Sequence, residues 1–155
     1  MPADPDRQRV YGAETALREL LDQATSMPGQ PVPVVVGRSQ VVLPPEVRFA
    51  DVASVRRYCE QVMALDRIAS RWPARPVRVR VRKGATKAHW ETTGTIAIPD
   101  EKWAMRETVV LHELAHHLTP CSLDHGKTFQ DALFDLYEVA MAPEVAFVAR
   151  VLISS

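Results

Sequence analysis

The run Val109-Val110-Leu111-His112-Glu113-Leu114-Ala115-His116-His117-Leu118 constrains this chain more than any other segment. It contains no glycine or proline, and on a helix advancing about 100° per residue it divides into two stripes. Trp103, Val110, Leu111, Leu114 and Leu118 gather roughly 160–260° around from His112, whereas His112, Glu113 and His116 fall within about 0–100°. The segment is therefore expected to be a helix with one buried stripe and all three polar candidates opposite it. Glu107 is a misfit among the apolar residues, with no rationale beyond its place near the helix start.

Two histidines four positions apart lie one above the other on a helix, so both imidazoles can reach one metal ion. Glu113 projects beside that ion, placed to take a proton from its bound water. The plainer reading is a solvated, histidine-rich helix face. Against it, the glutamate is the one carboxylate or Lys/Arg between His112 and Leu118. A catalytic zinc site uses three protein ligands and leaves a fourth position for water. The helix must stop near Thr119-Pro120, because proline cannot continue it and restricts the residue before it. A short loop follows, with Asp124 suited to cap a second helix carrying Phe129, Ala132, Leu133, Leu136, Ala140 and Met141 on one side. His125, at the start of that helix, is the preferred third ligand. Asp124, Cys121, Asp135 and Glu138 are its rivals.

His112-Glu113-Leu114-Ala115-His116 followed, after eight residues, by His125-Gly126-Lys127-Thr128-Phe129 resembles the SprT-like and WLM-like zinc metallopeptidases. Ala88-His89-Trp90 and Thr95-Ile96-Ala97-Ile98-Pro99 are similar to the strand pair those domains carry before the catalytic helix. The likeness covers about residues 77–142. More narrowly, the whole chain resembles a metallohydrolase family of actinobacteria and their phages; that likeness implies a fold and a metal site but no substrate. Where metzincins place their third histidine this chain has Ser122. The resemblance implies one Zn²⁺ held by His112, His116 and His125, with Glu113 as general base in the cleavage of a protein or peptide substrate. It also implies that Ala88–Thr92 is the sheet edge where a substrate strand could add, against the equally open reading of an ordinary edge strand blunted by Lys87 and Glu91. Tyr137, His117, His89 and Lys127 are candidate oxyanion donors, none of them favoured.

With 155 residues, 46% of them hydrophobic, the chain is expected to form a single domain over residues 1–155, which the resemblance implies is zincin-like. No apolar run approaches the length of a membrane span, and the polar N-terminus lacks the core of a secretory signal. Two cysteines, Cys59 and Cys121, give no disulfide framework, so a cytoplasmic location is expected. Net charge is zero but uneven: residues 71–88 hold seven basic side chains and no acid. Arg78, Arg80 and Arg82 share one strand face, a stripe that could meet nucleic-acid phosphates, although solvated strand faces are commoner.

Helices are expected over residues 7–25, 51–71 and 143–153, besides the two already placed. Strands are expected at 34–36, 41–43, 77–82, 88–92 and 95–98. The order implies a small α+β fold, a mixed sheet of three to five strands with helices packed on one face. Two function classes follow: an active zinc hydrolase, favoured by the intact Glu113, or a regulatory, protein-binding domain that keeps a metal for structure.

Overall fold

Helix α1, Arg7–Ala24, forms because Val10, Ala13, Leu17, Leu21 and Ala24 recur every three or four residues, and that stripe is buried. The computed structural model describes residues 3–84 and 87–155. After α1 come two short antiparallel strands, β1 (Val34–Val36) and β2 (Ser39–Val41). Gly37 has φ 60°, a left-handed conformation that closes a two-residue turn and pairs Val36 with Ser39. The second strand therefore starts before Val41, earlier than its valines suggest.

Asp51 caps α2 (Val52–Met63) by accepting from the Ser54 amide at 2.8 Å. The single helix expected to residue 71 ends there instead. Leu65 is extended, and a separate α3, Asp66–Arg71, begins after it. The break turns Ile68 fully into the core and sends Arg67 and Arg71 toward Asp135 of a later helix.

Strands β3 (Arg78–Val81), β4 (His89–Glu91) and β5 (Thr95–Ile98) form one mixed sheet in the order β3-β5-β4. β5 runs parallel to β3 and antiparallel to β4, and all four of its residues are buried. The molecule is thus α+β, with three strands in its main sheet and the β1–β2 hairpin standing apart. β4 is an edge strand, as its sequence suggests.

Helix α4, Glu107–Leu118, packs on β4, β5 and the following α5, Lys127–Leu136. A π-helical segment, Tyr137–Met141, leads to α6, Pro143–Ser154, which packs along α1. Ten of the twelve α4 residues are buried, so the helix is enclosed on its histidine side as well as its apolar side. Trp103 is not part of it; that residue precedes the helix in a turn and is 47% exposed.

A remote residue caps α4. Arg106 at its N-cap makes no side-chain cap, but Glu46 Oε2 accepts from the Thr108 amide at 2.8 Å and its hydroxyl at 2.6 Å. Glu46 Oε1 also meets Arg106 Nε at 2.9 Å. Glu107 is explained by the same neighbourhood. Its carboxylate accepts from the Val47 amide at 3.0 Å and from the Tyr58 hydroxyl, so a buried acid on the apolar side is satisfied. Among the described residues no helix is long and apolar enough to cross a membrane.

Candidate metal centre

Helix geometry sets the ring centroids of His112 and His116 5.0 Å apart on one side of α4. The chain leaves the helix at Thr119 and turns back through residues 120–126. Within that loop Asp124 accepts from the Gly126 amide at 3.2 Å, a local turn and not a helix cap: Gly126 itself is the N-cap of α5. The turn returns His125 to α4, with centroids 5.2 Å from His112 and 4.9 Å from His116. Phe129, one turn into α5 and fully buried, lies 4.5–5.0 Å from all three imidazoles and forms an apolar floor. One ligand atom from each histidine lies within 4.8 Å of the others, so this group could hold a metal ion.

Two carboxylates unforeseen from the sequence orient the rings. Glu14 Oε2 lies 2.6 Å from His112 Nδ1, and Asp4 Oδ2 lies 2.7 Å from His125 Nδ1. A carboxylate only accepts, so each Nδ1 donates its hydrogen there and each ring turns its Nε2 inward. These two Nε2 atoms face each other at 3.4 Å. At that range the two nitrogens share either a proton carried by His112 or a metal ion between them. The edge of a tetrahedron with metal–nitrogen bonds near 2.05 Å is about 3.3 Å. The His112–His125 pair matches that edge, and with the His116 donor within 4.8 Å the group could take an imidazole-binding ion; carboxylate–histidine pairs of this kind are the usual support for one. The sequence carried one signal of this shell. Glu14 follows Val10 by four residues and precedes Leu17 by three, an acid on the buried stripe of α1.

The local fields are strongly polarised. Burial alone would depress the His112 imidazole, but the charges of Glu14 and Glu113 outweigh it and lift its pKa to about 9. His116 is driven the other way, to about 3, by burial and by the charge of His112 and His125. Burial likewise raises the Glu113 carboxyl, against the attraction of His112. Glu113 is 7% exposed, and with His112 it lines a cavity of about 290 Å³ whose rim includes Tyr11, Arg18, Lys87 and Trp103. A larger groove, about 980 Å³, lies between α1, β1 and α6, away from the histidines.

The rival ligands are occupied elsewhere. Asp135 is buried, but it accepts from Arg67, from Arg71 and from the Trp72 indole at 2.8–2.9 Å, tying α3 to α5. Glu138 pairs with Arg67, and Cys121 is an exposed free thiol. Among the described residues neither Cys121 nor Asp124 joins the three histidines. His117 has both nitrogens engaged, accepting from the Trp90 indole at 3.1 Å and donating to the Arg75 carbonyl at 2.7 Å, so it holds β4 against α4. His89 meets Glu91, Lys127 pairs with Asp131, and the buried Tyr137 hydroxyl has no hydrogen-bond partner among the described residues. The arginine stripe along β3 is partly neutralised where Arg80 pairs with Glu91, and Arg82, just past the strand, keeps its charge while donating to the Lys87 carbonyl. Compared with models of known protein families, with curated proteins and with solved structures, the chain matches nothing.

Proposed function

We propose that this chain is a zinc-dependent hydrolase with a zincin-like fold that cleaves peptide or amide bonds in a protein or peptide substrate. The observation that carries this reading is the pair of inward-facing Nε2 atoms 3.4 Å apart, with His116 and the buried Glu113 beside them. His112, His116 and His125 would hold the ion and leave its fourth position open, since Cys121 and Asp124 stay outside the group. When bound, zinc supplies Lewis-acid activation of a water and of the substrate carbonyl. Glu113 accepts the proton of the attacking water and delivers it to the leaving nitrogen. Its burial favours that role, because a carboxyl raised from its ordinary range holds a proton well enough to carry it. Phe129 and the enclosed flank of α4 keep bulk water from the rings. The resemblance to SprT-like and WLM-like peptidases supports the same chemistry. A cytoplasmic setting suits two cysteines that do not pair.

Elemental analysis of the purified chain, with peptide-library hydrolysis by the native protein and by Glu113→Gln, tests the reading. Stoichiometric zinc in both proteins is expected, with activity lowered about 10²–10⁴-fold in the variant. Zinc-loaded protein that cleaves nothing, or a variant as active as the native chain, would refute the hydrolase.

A further inference from the structure

Both carboxylates that grip the imidazoles come from the first fourteen residues, about a hundred positions from the rings they hold. Asp4 stands before α1 and makes two contacts with His125, one to Nδ1 at 2.7 Å and one to the backbone amide at 3.3 Å. It fixes the ring and the returning loop together, while Gln130 of α5 holds the His125 carbonyl at 2.8 Å from the other side. Glu14, 4% exposed, grips His112. Between them Tyr11 rests against both rings, with centroids 5.5 Å from His112 and 5.1 Å from His125. Residues 4, 11 and 14 thus present one continuous face to two of the three histidines. The body of α1 is held independently by α6 and β1, whereas Asp4 has His125 as its side-chain partner.

From this arrangement we propose that the segment before α1 is a latch on the zinc site: seating of Asp4 on His125 and capture of the ion are coupled, each strengthening the other, while Glu14 is a fixed support on α1. The inference rests on the zinc-binding reading above. A carboxylate accepting from Nδ1–H makes the opposite nitrogen a stronger ligand, and an ion drawing on that nitrogen makes Nδ1–H a stronger donor. The coupling is reciprocal, as any linkage between two binding events must be. Lifting the residues before α1, by a partner or by cleavage, then releases the ion without touching a ligand.

The test uses the full chain with Asp4→Ala, Asp4→Asn and Glu14→Gln. Zinc affinity is measured by competition with a chromophoric chelator, coordination by the visible spectrum of the cobalt-substituted protein, and seating by amide hydrogen exchange with and without zinc. Asp4→Ala is expected to weaken zinc binding about 10–100-fold, with Asp4→Asn between it and the native chain. Zinc should slow exchange over residues 5–11 in the native protein but not in Asp4→Ala. Glu14 is buried and its variant can fail to fold, so Asp4, with a side chain 22% exposed, carries the test. If the native chain binds zinc and either the variants' affinities or the exchange of residues 5–11 stays unmoved, the latch is overturned alone. If the native chain binds no zinc, the proposed function falls with it.

Discussion

Replacing Glu46 by alanine should damage α4, the helix that carries His112 and His116, from a distance. Its side chain is 3% exposed and its carboxylate makes four hydrogen bonds to the start of α4: Arg106 Nε at 2.9 Å, Arg106 Nη2 at 2.5 Å, the Thr108 amide at 2.8 Å and the Thr108 hydroxyl at 2.6 Å. Losing a helix cap costs about 1 kcal/mol. Stripping one partner from a buried ion pair costs about 3–5 kcal/mol. That second figure is discounted, because Asp22 still meets Arg106 at 3.0 Å and is itself 54% exposed. A total near 3 kcal/mol is the expectation. For a chain of this length it corresponds to a fall in Tm of roughly 6–12 °C. Urea unfolding followed by far-ultraviolet circular dichroism reads it as a lowered midpoint at unchanged slope. Thr108→Val, which removes only the hydroxyl contact, should lose about 1 kcal/mol. If Glu46→Ala loses less than Thr108→Val, the claim that a remote carboxylate caps α4 is wrong.

Phe129→Ala should cost about 3–5 kcal/mol and loosen all three imidazoles, so chelator competition should show weaker zinc binding than in Phe129→Leu. Asp135→Asn should lower the unfolding midpoint, because Arg67 and Arg71 lose their buried counter-charge, yet leave zinc stoichiometry at one; a loss of zinc would return Asp135 to the ligand set. For protein stripped of metal, stability should peak near pH 6.5. His112, raised to about 9, contributes stability that is complete below its unfolded value of 6.5 and lost as pH climbs through 9. His116, lowered to about 3, resists protonation in the fold, so stability falls as pH drops below 6.5. Thermal melts between pH 5 and pH 9 in a chelating buffer should trace that single maximum; a monotonic rise would contradict the carboxylate support of His112.

What the sequence made legible was local. The stripe of α1, the two-stripe pattern of residues 109–118 and the stop at Thr119-Pro120 each follow from spacing and from proline chemistry, and the structure has them. His125 could be favoured because a short loop returns the chain, and the structure does bring its ring to the other two. The β4–β5 hairpin was legible from the turn at Thr93-Gly94, but the parallel pairing of β3 with β5 was not, because no turn signal links strands joined by a crossover. The break at Leu65 was hidden because residues 51–71 keep a helical pattern on both sides of it. Long-range polar pairs were the least visible. Glu107 was seen as a misfit with no partner to assign, and Tyr58 and Val47 supply the answer. Glu14 sat on an apolar stripe as an unasked question, while Asp4, in a polar lead-in, gave no signal at all.

The enclosure of α4 decides where variety can enter this molecule. With sheet, α5 and α2 around it and Glu14 of α1 against His112, there is scarcely a position on that helix where a new side chain could be tried without disturbing a neighbour. Differences in what reaches Glu113 must therefore be written on the rim, at Tyr11, Lys87 and Trp103. A mutagenesis library meant to redirect the site belongs on those three residues, with the helix left as it is.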